Sequence, residues 1–109
     1  MGASNLSIHS KEQKEIAAIA KVLAHPARVA ILQYISSQNA CICGDIVDKI
    51  GLSQPTISQH LQVIRSAGLI KGSFEGKGIC YCLDVDRFKE IQNLFNSYFN
   101  QAVNTCCSN

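Results

Sequence analysis

Apolar residues recur at helical spacing through Ile16, Ile19, Ala20 and Leu23, a stripe that predicts a helix over residues 11–23. Pro26 interrupts it. Proline suits the first turn of a new helix, and Val29, Ile31, Leu32 and Ile35 predict a second helix over 27–36. Cys41-Ile42-Cys43 reads as a short extended segment, broken by Gly44. Residues 45–50 read as a short helix with Asp45 near its positive end, closed at Gly51. Ser53 is a good N-cap and Pro55 falls in the following first turn. Ile57, Leu61 and Ile64, spaced four and three, carry that helix to Ala67 before Gly68 stops it. Residues 69–74 and 79–83 read as two strands joined by the glycine-rich tip Glu75-Gly76-Lys77-Gly78. A last helix starts at Asp84 or Asp86 and carries Phe88, Ile91, Phe95, Tyr98, Phe99 and Ala102.

The order helix, helix, short strand, helix, helix, hairpin, helix predicts a mainly α winged helix-turn-helix fold with a small β-hairpin wing (α-α-β-α-α-β-β-α). The expected organisation is a tail over 1–10, a DNA-binding and dimerisation domain over 11–103, and a cysteine-containing tail over 104–109. The chain's 109 residues suit one domain. A chain this size buries about two-thirds of its unfolded surface, and small helical domains gain further burial by dimerising. No apolar run approaches the about 18 residues of a membrane span, and residues 1–15 lack a basic segment followed by an apolar one. A cytoplasmic location with no membrane partner is the expectation.

Charge sharpens the picture only through its distribution. Between residues 49 and 83 the basic side chains are Lys49, Arg65, Lys71 and Lys77, against the single acid Glu75. A local basic face suits a polyanion, although a solvated surface has the same composition. A short helix, a turn at Gly51 and a second helix make a helix-turn-helix, whose second helix reads base edges in the major groove. With Ile57, Leu61 and Ile64 facing the core, the opposite face carries Gln54, Thr56, Ser58, Gln59, Gln62 and Arg65. Glutamine can bond adenine at two points, and threonine offers a methyl to thymine and a hydroxyl to phosphate. Ser53 and the free first-turn N–H groups can take a phosphate. Arg65 suits the backbone, and Lys71 and Lys77 on the wing add phosphate contacts.

The stretches LAHPARVAIL, GDIVDKIGLSQPTISQHLQVIRSAGLI and EGKGICYCL closely resemble the ArsR/SmtB family of metal-responsive bacterial repressors, over roughly residues 15–100. The resemblance implies a homodimer built from the first and last helices, bound to double-stranded operator DNA and leaving it when an inducer binds. By analogy with the family's recognition helix, Ser53, Gln54, Thr56, Ser58, Gln59 and His60 are candidate DNA contacts. His60 precedes the apolar Leu61 and could equally support the helix by packing. His25, before Pro26, reads as a helix-start residue.

Six cysteines stand at Cys41, Cys43, Cys80, Cys82, Cys106 and Cys107. Cys41 and Cys43 would share one side of a strand, as would Cys80 and Cys82. If the first strand pairs with the second wing strand, four thiols gather near one sheet. All six are candidate metal ligands, although small buried side chains are the competing reading for the strand pairs. Soft thiolates favour trivalent arsenic (arsenite, an organoarsenical) or antimonite, and zinc is possible. Arsenic repressors of the family carry Cys-Val-Cys-Asp-Leu-Cys at the third helix. Here Val47 occupies the third cysteine's place and Cys43 is one residue out of register. Cys106-Cys107 resembles the adjacent cysteines that some relatives carry near the end of the last helix. No histidine follows His60, so the Asp/His zinc site of others is not expected.

The reading is therefore a DNA-binding repressor, needing no cofactor to bind DNA, released by a thiophilic inducer, foremost trivalent arsenic. The alternative is a redox or reactive-sulfur sensor of the same fold. A metal carrier or protein-interaction winged helix is the competing class. No His–carboxylate–nucleophile set or phosphate-binding loop suggests an enzyme.

Overall fold

The computed structural model describes residues 8–38, 46–75 and 78–105. The expected strand at Cys41 and Cys43, Lys77 at the wing tip, and the Cys106-Cys107 pair lie outside them. The described elements are α1 (Lys11–Val22), α2 (Pro26–Ser36), α3 (Ile46–Ile50), α4 (Gln54–Ser66), β1 (Ile70–Glu75), β2 (Gly78–Leu83) and α5 (Val85–Val103).

The boundaries have local causes. Ser10 Oγ accepts from the Gln13 backbone N–H at 3.0 Å, and Gln13 Oε1 accepts from the Ser10 N–H at 2.9 Å. This reciprocal capping box satisfies two donors that no helical carbonyl can reach, so α1 is anchored at its first turn. Pro26 opens α2 with its φ already helical. Gly51 and Gly68, which follow α3 and α4, have φ of 85° and 82°, the left-handed conformation that an L side chain resists. Asp84 caps α5 by accepting from the Arg87 N–H at 3.2 Å. Ser53 departs from the expected cap. It holds the N-cap position with extended backbone, but its hydroxyl donates to Thr56 Oγ1 at 3.0 Å and makes no capping bond.

The core lies where α2, α4 and the wing root meet. Ile31, Ile57, Ile64 and Leu69 are its largest fully buried side chains, joined by Ile19, Ile35, Ile46, Leu61, Ile70 and Ile91. Each such isoleucine or leucine contributes about 1.5–3 kcal/mol by leaving water. Among the described residues no polar or charged residue is buried.

The wing is an antiparallel pair that matches Ile70 with Leu83, Lys71 with Cys82, Gly72 with Tyr81 and Ser73 with Cys80. Side chains alternate across a strand, so Ile70, Tyr81 and Leu83 share the face packed on the core. The Asp84 N–H donates to the Leu69 carbonyl at 2.9 Å and closes the hairpin root. α5 then crosses α1, where Arg87 Nη1 donates to Glu15 Oε2 at 2.7 Å and to Glu90 Oε1 at 3.2 Å. Among the described residues no helix is long and apolar enough to cross a membrane.

Candidate nucleic-acid interface

The apolar stripe of α4 fixes what its other face presents. Ile57, Leu61 and Ile64 are buried. Gln54, Ser58, Gln59, Gln62 and Arg65 are exposed, and Thr56 is half-buried near the helix start. Two hydrogen bonds tie this face together: Ser53 to Thr56, and Gln54 Nε2 to Ser58 Oγ at 3.0 Å. Bonds of this kind restrict rotamers before any ligand arrives. The result is a row of uncharged donors and acceptors with a cation, Arg65, two turns along, suited to base edges and phosphate respectively. Ser58, Gln62 and Arg65 also border a cleft of about 540 Å³ shared with Tyr81 of β2, so α4 and the wing form one continuous surface. Lys71 is exposed on β1.

His60 stands apart from the row. It is half-buried, and its Nδ1 accepts from Arg28 Nε at 3.2 Å. Arg28 Nη1 also donates to the Val22 carbonyl at 3.2 Å. The His25 ring lies 5.4 Å from the His60 ring, centroid to centroid. Burial, then the charge of Arg28, then His25 hold the His60 imidazole below the ordinary histidine value. Sequence reasoning passed over Arg28. The available signal was the three-residue spacing of His25 and Arg28 at one helix start, a place where a cation has no electrostatic reason to be.

Cys80 is buried although it lies on the wing face opposite Ile70 and Leu83, and Cys82 two residues on is half-buried. Both are in disulfide bonds. In that state neither sulfur is a thiolate able to hold a soft ion. Among the described residues no group of three or more His, Cys, Asp or Glu side chains is placed to hold a metal. The other four candidate cysteines are outside those residues.

The second surface of note lies between α1 and α5. There a groove of about 910 Å³ is lined by Ile16, Ala17, Leu94 and Tyr98 with Glu12, Glu15 and Glu90 at its margins. Beyond it Phe99 and Val103 are 55% and 75% exposed.

A sequence profile described as "Bacterial regulatory protein, arsR family" matches residues 25–71, from the start of α2 to the first wing strand. An uncharacterised HTH-type transcriptional regulator of Methanocaldococcus jannaschii is 35% identical over 85 residues, 77% of this chain and 94% of that one. The chain belongs to the ArsR family. A biofilm growth-associated repressor of Agrobacterium fabrum is 37% identical over 80% of this ArsR-family chain and 74% of its own length. A solved structure described as a possible transcriptional regulator for arsenical resistance superposes with a TM-score of 0.64 at 29% identity, covering 72% of this chain and 81% of that one. The winged helix-turn-helix architecture and the regulatory, non-enzymatic class expected from the sequence are those of the family.

Proposed function

We propose that this ArsR-family repressor binds operator DNA as a homodimer, with α4 in the major groove, and that the oxidation state of its wing cysteines sets its affinity. The disulfide bonding of Cys80 and Cys82 carries the reading. These residues sit on the strand that follows the wing tip and adjoins the core, so a bond made there pulls on the element lying beside α4. The step, for each disulfide formed, is the oxidation of two thiols. It releases two protons and passes two electrons to a peroxide or polysulfide. Repression belongs to the reduced dimer. A hundredfold release needs about 2.7 kcal/mol of coupling between the sulfur chemistry and DNA.

The second reading, trivalent arsenic as inducer, draws on the solved relative described as a possible regulator for arsenical resistance. Reduced Cys80 and Cys82 would then be two of the thiolates that a pyramidal arsenic centre needs. The homodimer reading draws on the apolar face of α1 and α5.

The test begins with a duplex enriched by the reduced protein from a random-sequence library and footprinted with it. Hydrogen peroxide, sodium tetrasulfide, arsenite and zinc are then titrated into that complex, with wild type and with Cys80→Ser and Cys82→Ser. Oxidant-induced release, reversed by dithiothreitol and absent in the serine variants, is the expected result. Release by arsenite alone transfers the function to the second reading. Equal affinity of the reduced and oxidised proteins removes the redox reading.

A further inference from the structure

Arg28 occupies a position that needs explaining. It lies in the first turn of α2, where the helix dipole disfavours a cation. Its guanidinium is held by two acceptors from outside α2. One is the Val22 carbonyl at the end of α1, an oxygen that no further helical N–H can reach. The other is His60 Nδ1, in the middle of α4. A single side chain therefore joins three helices, and the third is the one whose polar face lies open.

The bond to Nδ1 prescribes the state of His60. A nitrogen that accepts from Arg28 carries no proton, so the imidazole is neutral with its hydrogen on Nε2. Adding a proton to Nδ1 would set donor against donor and cation against cation. The His25 ring, at the α2 N-cap and without a capping bond of its own, closes over the same imidazole. The titratable and charged groups acting on His60 are Arg28, in α2, and His25, at its N-cap, while α1 meets the cluster through the Val22 carbonyl.

We propose that Arg28 is a positioning residue for DNA recognition: through neutral His60 it clamps α4 against the α1–α2 corner, and protonating His60 opens the clamp and weakens operator binding. The proposal rests on α4 being the helix that meets DNA. Its sign is opposite to the simplest electrostatic expectation, because a positively charged imidazole contacting phosphate would tighten binding in acid. The linkage follows from geometry and burial together. The neutral form is favoured in the folded protein, so the clamp is fully made above the ordinary histidine value of 6.5 and lost as pH falls through the lower, folded-state value.

The experiment uses the full chain, reduced, and the duplex enriched from the random library. Binding is measured by fluorescence anisotropy from about pH 7.5 down to about pH 5, alongside His60→Asn and Arg28→Met. Asparagine places an oxygen near the Nδ1 position and does not titrate. Wild type is expected to lose about tenfold in affinity relative to H60N across that range, and R28M to bind several-fold more weakly at pH 7.5. Independently of DNA, the His60 ring proton titration by NMR is expected to move upward in R28M. A wild-type profile parallel to that of H60N, or tighter than it in acid, overturns the proposal. So does a His60 titration that R28M leaves in place, and this readout decides the matter if H60N does not fold. If Gln59→Ala binds the duplex as tightly as wild type, the docking of α4 fails and takes the DNA half of the proposal with it, while the NMR titration still judges the clamp.

Discussion

α4 and α5 are both amphipathic helices, and the chain treats them differently. α4 spans 13 residues and buries Ile57, Leu61 and Ile64 against α2 and the wing root. α5 spans 19 residues and fully buries only Ile91, while Tyr98, Phe99 and Val103 stay more than half exposed. Its aromatic residues meet one another edge-on or tilted, with Tyr98 and Phe99 at 5.3 Å and Phe95 and Phe99 at 6.2 Å between ring centroids, and much of that surface still faces water. The helix proposed to meet DNA is thus finished by its own chain: its apolar side is covered and its polar side is exposed. The last helix is unfinished, and the groove it makes with α1 is the surface that the proposed homodimer would cover. One half of the molecule is completed by folding. In the proposed homodimer the other is completed by association as well.

That contrast can be broken at four points. The largest effect belongs to the finished half. Ile64→Ala, at a fully buried position, is expected to lower folding stability by about 3 kcal/mol through lost burial and a residual cavity. A denaturant titration showing less than about 1 kcal/mol would mean that the α4 core is not tightly packed. Next comes the unfinished half. Tyr98→Glu with Phe99→Glu should leave the far-ultraviolet spectrum intact and yield a monomer by sedimentation. Binding to the enriched duplex should fall about a hundredfold, or about 2.7 kcal/mol, because one half-site contact is lost. A double variant that stays dimeric would place the interface elsewhere.

The third change touches only the open face of α4. Gln59→Ala should weaken DNA binding by about 1–3 kcal/mol with an unchanged melting temperature, which separates the reading face from the packing face of one helix. The smallest effect lies at the edge of the seam. Ser10→Ala removes one arm of the α1 capping box and is expected to cost about 1 kcal/mol in thermal unfolding. The ion pair between Arg87 and Glu15 is a weaker lever still, since both side chains keep about a quarter to a third of their exposure.

Much of this architecture can be read from the sequence, and particular residues show why. The stripe Ile57, Leu61, Ile64 gave α4 its period and its buried face. Gly51 and Gly68 gave the two breaks, because only a residue without Cβ enters the left-handed conformation at little strain. Helical period, turn chemistry and caps are local properties, carried within a few residues of chain. The polar row on α4 follows from the same period, so Gln54, Ser58, Gln59, Gln62 and Arg65 were identified along with the helix itself.

Contacts between residues distant in the chain were not legible. Arg28 and His60 are 32 residues apart, and no pattern in either helix states that they meet. His60 could be placed on α4 by sequence, but whether it faced outward or inward depended on what α2 brought beside it. Ser53 was recognisable as a cap position, yet the choice of its hydroxyl between the backbone and Thr56 depended on side-chain geometry. The burial of Cys80 was equally a matter of packing, because alternation along β2 tells which residues share a face and not which face is covered. Sequence alone determined the order of the elements, the apolar stripes and the face that α4 leaves open. Only the tertiary structure decided that Arg28 ties three helices through a neutral histidine, that the wing cysteines are bonded, and that α5 is left half covered, since each depends on surfaces brought together by folding.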